Sequence, residues 1–132
     1  MPADIELEIP VKPDYVGVVR LAVASMARKA GMDEERVDDL KIAVSEACTN
    51  AVMDADEAGV TEPIHVTVRD SGESVTVEIV DSVPASAQAD LEDSQGFSTR
   101  RAMSAALLRS LVDLYESTPQ PQGTLTKLSF NL

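Results

Sequence analysis

Tryptophan is absent from this 132-residue chain, and two Tyr and two Phe are its only aromatic residues. Its core must therefore be built from aliphatic and alanine side chains, drawn from the 44% of residues that are hydrophobic. A single cysteine excludes an internal disulfide framework, and a single histidine leaves no cluster of zinc ligands. Positive charge is scarce: Lys and Arg number 11 against 23 Asp and Glu, for a formal net charge of −12. That balance argues against binding nucleic acid through its phosphates, which needs Lys and Arg clusters. It suits solubility alone, or a partner that presents a basic surface. No run of about 18 apolar residues is present to span a bilayer, and the N-terminus lacks a basic-then-apolar leader. The expectation is a cytoplasmic protein without membrane contact. Repeats, low-complexity tracts and linkers are also lacking, so residues 1–132 read as one domain.

The residues that are present fall into clear periods. Ile5-Glu6-Leu7-Glu8-Ile9 alternates as a half-buried strand does. A helix is predicted from Pro13 to about Lys29, stopped by Gly31, with Val16, Val19, Val23, Met26 and Ala27 on its buried side. Arg20 lies among them and must send its charge to solvent or to an acidic partner. Asp33 suits the N-cap of a second helix running to about Ala58, before Gly59. Residues 64–69 and 74–80 alternate around Asp70-Ser71-Gly72-Glu73 and predict a β-hairpin, with His65 on its polar side. Residues 85–94 read as loop. A third helix is expected from Ser94–Phe97 through Arg109, with residues 111–116 as its continuation or a short strand. Residues 118–123 form a turn, and Thr124 to Phe130 alternates as the last strand. The order β-α-α-β-β-α-β-β predicts an α+β, two-layer sandwich: a mixed, mostly antiparallel sheet with helices on one face.

The middle of the second helix carries two stripes. Val37, Leu40, Val44, Cys48, Ala51 and Ala55 recur at spacings of three and four and make an apolar face, which assigns Cys48 to the core. Glu46, Asn50 and Asp54 step by four and make a polar one. A carboxylate followed one turn later by an amide brings oxygen acceptors together, suited to hydrated Mg²⁺ and to orienting a nucleophile. A solvated polar face explains the same spacing.

Leu40-Lys41-Ile42-Ala43-Val44-Ser45-Glu46-Ala47-Cys48-Thr49-Asn50-Ala51-Val52 resembles the N box of the GHKL (Bergerat-fold) ATPases. More narrowly, it resembles that of bacterial anti-sigma factor serine kinases, the RsbW-like branch. Pro13 to Leu21 is similar to the first helix of the same family. The resemblance implies that ATP and Mg²⁺ are cofactors. In it, Glu46 activates a target serine hydroxyl and Asn50 holds Mg²⁺ beside the phosphates. Asp81 accepts a hydrogen bond from the adenine amino group, Gly96 belongs to the lid over the phosphates, and Gly123-Thr124 closes the adenine pocket. Arg20 is implied in binding a protein partner.

The second half departs from that pattern. Asp81 is followed by Ser82-Val83-Pro84-Ala85 where the family has a glycine-bearing turn, and the lid retains only Gly96. Asp54, Asp56 and Glu57 stand where a basic or aromatic pair is frequent. Arg100 and Arg101 are expected in the first turn of the third helix, where the dipole disfavours cations and an anion, either phosphate or an acidic partner surface, would relieve this. The implied function is an anti-sigma factor that sequesters a sigma factor and is countered by an anti-anti-sigma (STAS-domain) protein. That partner is phosphorylated on serine with ATP, and a homodimer forms through the sheet edge or first helix. The alternative is a nucleotide-independent protein-binding module on a degenerate GHKL fold.

Overall fold

A computed structural model describes the backbone of residues 3–92 and 95–132, and the side chains of residues 4–88 and 99–132. Strand β1 (Ala3–Ile9) leads through a 3₁₀ turn (Pro13–Tyr15) into helices α1 (Val16–Lys29) and α2 (Glu34–Glu57). Strands β2 (Ile64–Asp70) and β3 (Ser74–Val80) follow, then helices α3 (Ala85–Glu92) and α4 (Gln95–Leu111), and strands β4 (Leu114–Gln120) and β5 (Gly123–Asn131). The five strands form one sheet in the order β1-β2-β3-β5-β4. Every neighbouring pair is antiparallel, where the sequence allowed a mixed sheet.

Local chemistry fixes the helix ends. Asp33 accepts a hydrogen bond from Arg36 N at 2.9 Å, the expected cap. Gly59 follows α2 at φ +70°, a left-handed conformation that costs other residues their Cβ clearance. At the other end, Arg36 in the first turn ties α2 to the sheet. Its guanidinium lies 5.0 Å from the Phe130 ring centroid and 2.5 Å from Asp113 Oδ2, which also accepts from Asn131 N.

The core lies between the helices and one face of the sheet. Ile64, Val66 and Val68 of β2, Val75, Val77 and Ile79 of β3, and Leu128 and Phe130 of β5 point into it. They meet Val19 and Val23 of α1 and Val37, Leu40 and Val44 of α2, all of them at most 1% exposed. Each such side chain contributes about 1.5–3 kcal/mol through burial. The opposite sheet face is polar. Arg69 pairs there with Asp4 and Glu78, and His65 lies 3.3 Å from Glu8 across the β1–β2 register. Among the described residues, no helix is long and apolar enough to cross a membrane.

Two expectations change, and a third falls partly outside the described residues. Residues 85–92, read as loop, form α3, because Pro84 begins a helical turn and its carbonyl accepts from Gln88 N at 2.9 Å. Of the two readings of residues 111–116 the strand holds, and β4 runs on to Gln120, so that the turn expected from residue 118 is confined to residues 121–122. Pro119 is tolerated there because β4 is an edge strand. Ser94, the first residue offered as the start of the third helix, lies outside the described residues, and α4 is seen from Gln95.

Cys48 is fully buried on the apolar face of α2, and burial pushes its thiol up to about 12. An aromatic disulfide reagent at pH 8 should leave it unmodified in the native protein and modify it fully in denaturant. Rapid native labelling would contradict the packing of α2.

Candidate nucleotide site between α2, α4 and the sheet

The polar stripe of α2 does not face a single environment. Glu46 is half-buried and lines a groove of about 670 Å³ between α1 and α2, with Arg20, Leu21, Lys41 and Ile42 among its walls. Arg20 is exposed, as are the apolar side chains of Leu21 (66%) and Ile42 (50%). The two residues that the sequence singled out for proton transfer and partner contact therefore share one open groove.

One turn further along α2, Asn50 is 8% exposed and Asp54 4% exposed, both beneath α4. Asn50 Nδ2 donates to Ser104 Oγ at 2.5 Å. Arg100 Nη2 lies 3.0 Å from Asp54 Oδ1 and Arg101 Nη2 3.4 Å from Asp54 Oδ2. Burial pushes the Asp54 carboxyl above the ordinary range, and the Arg101 and Arg100 charges pull it back down. Arg100 and Arg101 lie in the second turn of α4, rather than the first, and one anion they meet is a carboxylate of their own chain. Asp56 and Glu57 are exposed, so of the three extra acids only Asp54 is buried beneath α4.

The far wall comes from the ends of β3 and β5. Asp81 is 6% exposed, and its Oδ1 accepts from Val83 N and Thr124 N, both at 3.0 Å. Its own N–H donates to the Thr124 carbonyl. Burial raises the Asp81 carboxyl, and the two backbone bonds oppose that shift. At Gly123 an added Cβ would come within 2.0 Å of the Asp81 carbonyl oxygen, so glycine is what lets β5 pass so close. Gln88 Nε2 of α3 reaches the Val83 and Gly123 carbonyls at 2.6 and 3.1 Å. A helix start pinned by Gln88 thus stands where a flexible glycine turn was sought. Gly96 is in the first turn of α4, and its surroundings are not described.

Asn50, Asp54, Asp81 and Thr124 together line a cavity of only about 10 Å³, closed by Arg101 and Leu108 of α4. That is at most the space of one water. The donor and acceptor chemistry suits a nucleotide with a divalent cation. The space for them is filled by α4. Yet of the α4 side chains described, only Ser104 and Leu108 are buried, so its apolar anchorage is slight. Among the described residues no three His, Cys, Asp or Glu side chains converge as a metal site. With Nδ2 of Asn50 committed to Ser104, its Oδ1 is the atom with acceptor chemistry for a cation. Sequence reading missed the Asp54–arginine pairs and the Asn50–Ser104 bond. The signal was there, in the step of four from Asn50 to Asp54 and in the adjacent arginines, but joining them requires knowing that α4 crosses α2.

Residues 9–130 match the family described as the histidine kinase-like ATPase domain. The chain is 51% identical over 65 residues to the serine-protein kinase RsbW of Bacillus pumilus, covering 49% of this chain and 40% of that protein. It is 42% identical over 86 residues to RsbW of Bacillus licheniformis, covering 56% and 53% respectively. The matches thus span about two fifths to half of these curated relatives. The fold superposes on the crystal structure of RsbU and RsbW domains from Mycobacterium tuberculosis with TM-score 0.74 at 18% identity, over 97% of this chain and 32% of that one. It also superposes on the SiaB-SiaC complex of Pseudomonas aeruginosa with TM-score 0.69 at 10% identity, over 96% and 88%.

Two substitutions test this geometry. Gly123→Ala must displace the Asp81 backbone and should cost about 3 kcal/mol, near the top of the range for overpacking, visible as a Tm lowered by roughly 10 °C. Asp81→Asn keeps an acceptor oxygen but cannot ionise. Because the native Asp81 value is raised, its contribution to stability is present below the ordinary carboxylate value, about 3.9, and is lost as pH rises through the native value. The variant should therefore gain on wild type in Tm between about pH 4 and pH 7. Parallel curves would show that Asp81 is not strained by burial.

Proposed function

The chain belongs to the histidine kinase-like ATPase family, and from that premise we propose that it is an anti-sigma factor kinase of the partner-switching kind. It holds a sigma factor, and it phosphorylates a serine of an anti-anti-sigma protein with ATP. The observation that carries the reading is the placement of Glu46 and Asn50 one turn apart on α2. Glu46 opens on a groove that a protein could enter, and Asn50 borders the cavity shared with Asp81 and Thr124. The identity with RsbW kinases supports it.

When bound, ATP would supply the phosphoryl group and Mg²⁺ would offset the charge of its phosphates. Asn50 would hold the cation through Oδ1, and Asp81 with the Gly123-Thr124 backbone would border the base. Glu46 faces the groove between α1 and α2, where a carboxylate can take the proton of a docked serine hydroxyl at its own oxygen. Leu21 and Ile42 offer that docked chain apolar surface, and Arg20 beside them offers a charge for an acidic group. A second copy of the chain and the sigma factor would bind elsewhere on the helix layer. The nucleotide-free clamp is the less favoured reading, since the family is one of ATPases.

Calorimetric titration with ATP and Mg²⁺ should show micromolar binding that Asn50→Ala abolishes. With a serine-bearing anti-anti-sigma partner, Glu46→Ala should lower the phosphotransfer rate by about 10²-fold or more while partner binding is kept. Unchanged transfer in that variant would remove Glu46 from the role of base.

A further inference from the structure

A nucleotide cannot enter the cavity as it stands. About 10 Å³ is left among Asn50, Asp54, Asp81 and Thr124, and Arg101 and Leu108 of α4 are among the side chains that close it. The fastening of α4 is polar and local. Asp54, 4% exposed, is gripped by Arg100 at 3.0 Å and Arg101 at 3.4 Å, and Ser104 accepts from Asn50 at 2.5 Å. These groups follow in sequence along one helix face, at residues 100, 101 and 104, and bind acceptors and donors one turn apart on α2. Below them, among the described side chains, Leu108 is buried and Leu111 packs partly buried against the core. The cations that clasp Asp54 are of the type that a phosphate would take in bidentate fashion.

We propose that Asp54 gates the nucleotide site: by holding Arg100 and Arg101 it keeps α4 seated over the cavity, and the phosphates of an entering nucleotide open the site by taking those arginines from it. The inference rests on the nucleotide-binding reading above and names the regulation of that site. Its ligand is a nucleoside triphosphate with a divalent cation. Carboxylate and phosphate compete for the same guanidinium pair, so closure and loading exclude one another. Apparent affinity is then lowered by the fraction of molecules that are open. Release of Arg100 and Arg101 also frees Asn50 from Ser104 as α4 lifts, which returns both amide atoms of Asn50 to the site. One displacement thus makes room and restores a ligand.

The test compares wild type with Asp54→Asn, which keeps the side-chain volume and removes the charge. Amide hydrogen exchange without nucleotide is read first. Exchange in residues 99–111 should quicken about tenfold in the variant, while strands β2 and β3 exchange as in wild type. Calorimetry with Mg-ATP should then show binding about tenfold tighter. Tighter binding with unchanged exchange in α4 would overturn the gate, since removing one negative charge would account for it. Unchanged affinity with quickened exchange would also overturn it, because the clasp would not oppose the nucleotide. If neither protein binds Mg-ATP although β2 and β3 stay protected, the nucleotide reading itself fails, and the gate falls with it. An Arg100→Gln, Arg101→Gln double variant separates the two effects further. It should quicken α4 exchange as Asp54→Asn does, yet bind nucleotide no tighter than wild type.

Discussion

A carboxylate removed from water must find cations, and Asp54 finds two of them on α4. Leaving Asp54 unpaired would strand its charge at a site that is 4% exposed. That requirement holds α4 on α2, where among its described side chains only Ser104 and Leu108 are buried. The small cavity, the occupied amide of Asn50 and the buried position of Ser104 all follow from it. An interaction of this kind selects one arrangement, but much of its attraction is offset by desolvation, so it is readily exchanged for another anion. It differs in that respect from the aliphatic packing that holds α1 and α2 on the sheet.

Helix α2 is shared by both kinds of order. Its apolar stripe from Val37 to Ala55 is sealed in the core and fixes the rotation of the helix about its axis. Once that rotation is fixed, Glu46 must lie toward α1 while Asn50 and Asp54 lie toward α4. The chemistry is thus divided by a few tens of degrees along one helix. Glu46, the base of the proposed function, faces the groove between α1 and α2, and Asn50, the cation ligand of that proposal, faces the sheet ends that carry Asp81 and Thr124.

Much of this was legible in the chain. Alternation in residues 64–69 and 74–80, the cap at Asp33 and the apolar spacing of α2 are local signals, and each was met. The RsbW-like N box was legible because its residues are contiguous on one helix. What escaped was non-local or lay where two local rules competed. Pro84 and Pro119 both read as breakers. The first starts α3 and the second sits in an edge strand, and neither outcome is visible without the tertiary setting. The partner of Arg100 and Arg101 lies 46 residues away from the first of them, beyond any spacing rule.

The borders of the sheet have a consequence for how the protein behaves when crowded. Strand β4 ends the sheet on one side with Pro119, which has no N–H to offer an incoming strand. Strand β1 ends it on the other with Asp4, Glu6 and Glu8, whose charges would face those of a second β1. Neither border invites sheet extension, so concentrated protein should resist stacking into fibrils. Contacts between copies are directed away from the strands and toward the helices.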